Sequence, residues 1–150
     1  MNIQEALDRI DVMRPNMMEK AFKIAALSEL DGRIHQEIIR NHEDGNRPPM
    51  TLMERIIFLS PEQRRTETWI PEEEEFRGYT TETDPGTELL APFPYDEIYT
   101  YWLATKVDLQ NQEMEKYGND RILFNNAWNE LNDWYTRTHM PKQRVKELRI

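Results

Sequence analysis

Apolar residues recur at three- and four-residue spacing in four stretches of this chain, separated by segments rich in proline, glycine or charge. Ile3, Leu7, Ile10 and Met13 make the first helical stripe. Asn2 with Glu5 three residues later is a capping-box word for its start, and Pro15 marks its end. Asn16 with Glu19 repeats the word and predicts a longer second helix whose face runs Leu27, Leu30, Ile34 and Ile38. Gly32 inside that helix costs about 1 kcal/mol relative to alanine, which points to close packing or a bend. The third stripe is Tyr95, Ile98, Tyr99, Trp102, Leu103 and Leu109, and the fourth is Phe124, Ala127, Trp128, Leu131, Trp134 and Tyr135. Between these two, Tyr117-Gly118-Asn119-Asp120 combines a helix-ending glycine with helix-capping residues, so the turn of an antiparallel helical hairpin is expected there.

The middle of the chain reads differently. Asp44-Gly45-Asn46-Arg47-Pro48-Pro49 is a loop. Thr51 with Glu54 caps a short helix to Leu59, although Arg55-Ile56-Ile57-Phe58-Leu59 also suits a buried strand; the helix is preferred. Ser60-Pro61-Glu62-Gln63 is a further helix start. From Thr66 to Pro94, four prolines with Gly78 and Gly86 rule against a long helix, while Trp69, Ile70, Phe76, Tyr79, Leu89 and Leu90 can anchor extended chain. The expected fold is therefore mainly α: a helical bundle over 1–141 with a long, protruding proline-rich arm or irregular β-hairpin at about 60–94, followed by a basic tail over 142–150.

Charge sharpens this picture. The chain carries a formal −9 over 150 residues, which argues against a nucleic-acid binder as a whole. Most of the excess lies between Glu72 and Glu97, where nine acids face Arg77 alone. The end of the chain is the reverse, with Arg137, Lys142, Arg144, Lys146 and Arg149 against Glu147. Hydrophobic residues make up 38% and charged residues 31%, a modest apolar supply that favours an elongated or oligomeric protein within one domain. The absence of cysteine removes disulfides and thiolate metal sites and suits a reducing compartment. No apolar run approaches the roughly 18 residues of a membrane span, and the early Glu5 and Asp8 are unlike a secretory signal, so a soluble, unprocessed chain is expected.

Candidate chemistry is sparse. Glu72-Glu73-Glu74-Glu75 is read first as a solvated acidic stretch and second as an electrostatic element of an assembly, since consecutive acids on extended chain point in alternating directions and no calcium-loop pattern is present. His35 and His42, seven residues apart, lack a histidine partner at three or four residues and read as surface histidines. His139, beside Met140-Pro141, reads as a helix end. No nucleophile elbow or phosphate loop is present, so neither an enzyme nor a cofactor is expected. The aromatic stripe, with Tyr101 and Tyr117 on further faces, is either core alone or core plus subunit interface. The tail, where Val145, Leu148 and Ile150 alternate with bases, either extends the last helix, frays, or docks on a neighbour.

Several words of the chain together resemble the small head-tail connector (adaptor) proteins of long-tailed bacteriophages and prophages. They are Glu5-Ala6-Leu7-Asp8-Arg9-Ile10, Ser28 to Ile34, Gly78-Tyr79-Thr80, Thr83 to Leu90, and Pro94-Tyr95-Asp96-Glu97-Ile98-Tyr99. They span roughly Ile3 to Arg40 and Phe76 to Pro141; the segment from about Arg47 to Glu75 matches no part of the pattern. The resemblance implies a virion neck protein, made in the bacterial host cytoplasm, that closes into a dodecameric ring between the portal and the tail or a further neck protein. DNA would pass through the ring without specific binding. On that reading Lys142, Arg144, Lys146 and Arg149, with Trp69, Phe76 and Tyr79, are expected to meet partners, and Glu72, Glu73, Glu74 and Glu75 to face the channel. The rival reading is a small helical regulatory or scaffolding protein that forms a dimer or tetramer. A nucleic-acid binder that uses only the basic tail is a third, weaker one.

Overall fold

The computed structural model describes residues 1–42 and 76–139. The described chain is mostly helical: α1 is Ile3–Met13, α2 is Lys20–Glu37 followed by a 3-10 turn at Ile39–Asn41, α3 is Glu97–Gln110 and α4 is Met114–Thr138. Among the described residues no strand forms, and a β-bridge joins Asn2 to Glu88. The loop at 44–49, the Thr51–Leu59 segment, the helix start at Ser60, the part of the arm over 60–75 and the tail over 142–150 lie outside the described residues.

The start of α1 follows the capping word. Asn2 Oδ1 accepts the Glu5 amide at 2.8 Å, and the Glu5 carboxylate accepts the Asn2 amide at 3.3 Å. Two further first-turn amides are met from far along the chain, Ile3 by the Thr87 carbonyl and Gln4 by the Pro85 carbonyl, both at 3.1 Å. Ile3, Leu7 and Ile10 are buried as the stripe predicts, with Ala6 buried beside them, but Met13 is 44% exposed in the last turn. The helix closes at Arg14, before Pro15.

The second helix begins at Lys20 rather than just after Asn16. The Asn16 side chain is spent on the connection: its oxygen accepts the Met18 amide at 3.3 Å, and its amide donates to Asp11 and to the Arg14 carbonyl. That is a local side-chain turn competing with helix capping. Leu27, Leu30, Ile34 and Ile38 are all buried, as their spacing requires. Lys23 is buried too and pairs with Asp11 across the α1–α2 connection. This ion pair holds the Asp11 carboxyl below its usual range.

α3 and α4 form the antiparallel hairpin, with Tyr95 stacked on Trp134 at one end and Trp102 tilted against Phe124 further along, each at 5.0 Å between ring centres. The turn, however, lies at Asn111–Glu113, and α4 runs straight through Gly118. The closure is a Schellman motif: the Glu113 amide bonds to the Asp108 carbonyl at 2.9 Å and the Gln112 amide to the Leu109 carbonyl at 3.3 Å. Gln112, at φ 59°, takes the left-handed position that glycine usually fills. Gly118 was the wrong marker because backbone bonds alone end α3 six residues earlier. Leu109, placed on the buried stripe by its spacing, is 51% exposed in the last turn of α3.

Over its described part, 76–94, the segment expected as an arm or hairpin forms no strand. It lies across α1 and α2, burying Leu89 and Ala91. Leu89 donates to the Met1 carbonyl at 3.0 Å, beside the Asn2–Glu88 bridge. Its polar turns are closed locally, for instance by Gly86 donating to Asp84 Oδ1 at 2.9 Å. A strap that supplies hydrogen-bond acceptors to one helix and apolar side chains to the core is held on both counts, which proline-rich composition alone does not reveal.

Candidate assembly surface

Asp31 anchors the interior from which the surface is built. It falls on the apolar phase of α2 and is fully buried. Its carboxylate accepts the Tyr99 hydroxyl at 2.5 Å, the Tyr79 hydroxyl at 2.6 Å and the Leu90 amide at 3.3 Å. Tyr99 in turn accepts the Ala91 amide at 2.7 Å. Burial pushes the Asp31 carboxyl up while these donors pull it down, and burial beside Asp31 pushes both phenols far up. The group is a structural knot joining α2, the strap and α3, with every polar atom committed.

Ser28 and Gly32, on either side of Asp31, complete the strap's seat. Ser28 Oγ accepts the Tyr79 amide at 3.0 Å, while Gly78, at φ 79°, passes so close that a Cβ there would stand 2.6 Å from that hydroxyl. The Phe76 ring lies over Gly32, 3.8 Å from where a Cβ would be, an ordinary van der Waals distance, so close helix packing does not require the glycine. Phe76 also meets Tyr79 and His35. Of the residues expected to meet partners, Phe76 and Tyr79 are thus half-buried, and the Tyr79 hydroxyl is bonded inside the chain. Trp69, the Glu72–Glu75 run, and Lys142, Arg144, Lys146 and Arg149 lie outside the described residues.

The aromatic stripe serves mainly as core. Tyr99, Trp102 and Phe124 are buried, while Tyr95, Trp128, Trp134 and Tyr135 are half-buried against them. Trp102 donates its indole N–H to the Ala26 carbonyl at 2.8 Å. Two cations cover its neighbourhood, with Lys106 4.5 Å from the Trp102 ring centre and Arg33 5.2 Å from that of Trp128. The histidines are also engaged. His42 meets the Ile38 carbonyl through Nδ1 at 2.6 Å and the Thr136 hydroxyl through Nε2 at 3.2 Å, and His139 stacks on Tyr135. Among the described residues no three His, Asp or Glu side chains gather as a metal ion would require, and no described helix is long and apolar enough to cross a membrane.

What the described surface offers is apolar contact. An open groove of about 340 Å³ between α2 and α3 is lined by Met18, Phe22, Ala25 and Ala26, with Glu29, Lys106 and Gln110 on the polar side. Phe22 is 64% exposed, and neighbouring Met17 is almost fully so. Elsewhere Phe93 stands out from the strap, and Ile122 projects from the side of α4 opposite the buried Phe124. A groove with a large aromatic at its lip and a charged pair on one wall can receive an apolar side chain and orient it. Periodicity did not single out these residues, because Phe22 and Ile122 fall off the core phase and look like ordinary surface positions. The available signal was the surplus itself, large apolar residues beyond those the four stripes need. No family model, no curated protein and no solved structure matches this chain.

Proposed function

We propose that this chain is the subunit of a head-tail connector ring, a structural virion protein that sits between the portal and the tail or a further neck protein. The observation that carries the proposal is where the words of the resemblance lie. The stretches Ser28–Ile34, Gly78–Thr80 and Pro94–Tyr99 meet at Asp31, through Ser28, Asp31, Tyr79 and Tyr99. The word Thr83–Leu90 meets the start of α1 through Pro85, Thr87 and Leu89. Words scattered over most of the sequence thus build one connected frame, as parts of a single inherited pattern should. The groove beside Phe22 and the separate exposure of Ile122 add support, because a ring closed by head-to-tail contacts joins two different patches on each subunit.

The mechanism is geometric. Rigid helical wedges pack side by side around a passage for DNA, with the portal below and a tail component above. The acidic excess of the chain suits a duct through which phosphate slides without sticking. On this proposal the four consecutive glutamates line the channel, the basic tail reaches a partner, and no cofactor or membrane takes part.

Negative-stain imaging of the chain mixed with the portal encoded in the same genome tests this directly. A second ring stacked coaxially on the portal ring is the expected image. Bare portal rings at high chain concentration overturn the proposal and favour the small helical regulator.

A further inference from the structure

The end of α1 is fastened to the α3–α4 hairpin by charges that do not balance. Arg14 Nη2 reaches both oxygens of Asp120, on α4, at 2.9 and 3.2 Å. Its Nε stands 3.8 Å from Asp108 Oδ1, on α3, too far for a hydrogen bond. The Asp108 side chain is 0% exposed and that of Asp120 5%, yet neither Asp108 oxygen has a hydrogen-bond partner, and neither has Arg14 Nε. Two carboxylates therefore share one guanidinium out of water. Among the described residues a further charge bearing on Asp108 comes from the turn, where Glu113 adds repulsion and is itself paired with Lys116 at 3.0 Å. A buried carboxylate with no donor is costly, and the cheapest remedy is a proton, which turns one oxygen into a donor toward the other carboxylate.

We propose that Arg14, Asp108 and Asp120 form a proton-operated latch, closed when the two carboxyls share a proton beside the guanidinium and loosened when the proton leaves. The latch holds the α1–α2 corner, which carries Met13 and Met17, onto the hairpin, and it acts whether or not the chain builds a ring. Burial first, then the neighbouring Asp120 carboxyl, push the Asp108 carboxyl up to about 6 against the pull of Arg14. The sign follows. A folded-state value above the unfolded 3.8 adds stability that is full below about pH 4 and is lost as pH rises through about 6. Loosening thus falls between about pH 4 and 6.5, the interval between the unfolded and the shifted value.

Carbon-13 titration of side-chain carboxyls, with hydrogen exchange of the Arg14 amide that closes α1 onto Ile10, reads the latch. In the wild-type chain one aspartate carboxyl should titrate near 6, and Arg14 protection, corrected for intrinsic exchange, should fall about tenfold between pH 5 and 7. Asp108→Asn keeps a donor toward Asp120, so the titration should vanish and protection stay flat. The exposed control Glu115→Gln should behave as wild type, which separates the latch from relief of the overall acidic charge. Should Asp108→Asn not fold, Asp120→Asn serves: Asp108 then has Arg14 to itself and its midpoint should drop into the ordinary carboxylate range. No carboxyl titrating above pH 5, equal loss of protection in Asp108→Asn, or an unmoved midpoint in Asp120→Asn overturns the latch.

Discussion

Gly78, Gly118 and Gln112 place opposite demands on their side chains. Gly78 combines a positive φ with the Ser28 hydroxyl in the space of its missing Cβ, so Gly78→Ala should destabilise the chain by about 2 kcal/mol and free the Tyr79 end of the strap. Gly118 sits inside α4, where an added methyl meets no atom within 4 Å, so Gly118→Ala should stabilise by about 0.5–1 kcal/mol. Gln112 bears the strain of a left-handed cap, so Gln112→Gly should also stabilise, by about 0.5–1 kcal/mol. Urea unfolding of the three variants checks the signs. A stabilised Gly78→Ala, or a destabilised Gly118→Ala, would show that the strap or α4 is placed differently.

At the scale of elements, the fold depends on what joins the helices more than on the helices themselves. Asp31 ties α2, the strap and α3, so Tyr99→Phe, which removes a hydroxyl from a fully buried carboxylate and also frees the Ala91 amide, should cost about 2–3 kcal/mol. Tyr79→Phe should cost less, about 1 kcal/mol, because Tyr79 is half-buried. Matched urea denaturation curves decide the order, and equal losses would show that the two hydroxyls are not ranked by burial. The four helices and most of their buried positions were legible in the sequence, because each stripe keeps its phase over several turns. The hairpin turn was not, because a Schellman closure is made of backbone bonds and tolerates Gln112, whereas Gly118-Asn119-Asp120 imitates a cap inside an uninterrupted helix. Asn16 misled in the same way, by imitating a cap while bonding its own turn. Asp31 and Asp108 left a subtler trace, charged residues on an apolar phase, which names a buried polar group but not its partners, since Tyr79, Tyr99 and Asp120 lie far off in sequence.

For the whole molecule, the described chain closes a well-packed core and still leaves Met17, Phe22, Phe93 and Ile122 in solvent. Scattered single exposures occur on any protein, and on the proposed function the groove beside Phe22 is one of those that meet a neighbour. Phe22→Glu, at the lip of the groove, should therefore leave stability within about 0.5 kcal/mol of wild type while abolishing assembly. Sedimentation beside thermal melting separates the two effects, and loss of stability without loss of assembly would show that Phe22 belongs to the fold rather than to an interface. The candidate surface was less legible than the fold because an interface residue has no period of its own; it is recognised only once the core positions are known and subtracted.

Native mass spectrometry of the chain with its genome's portal is the deciding experiment. Ring assembly predicts one heavy species whose mass is the portal ring plus a fixed set of about twelve chains, the number carried by the connector resemblance and compatible with closed cyclic symmetry. An unchanged portal ring beside free monomer, dimer or tetramer would contradict it.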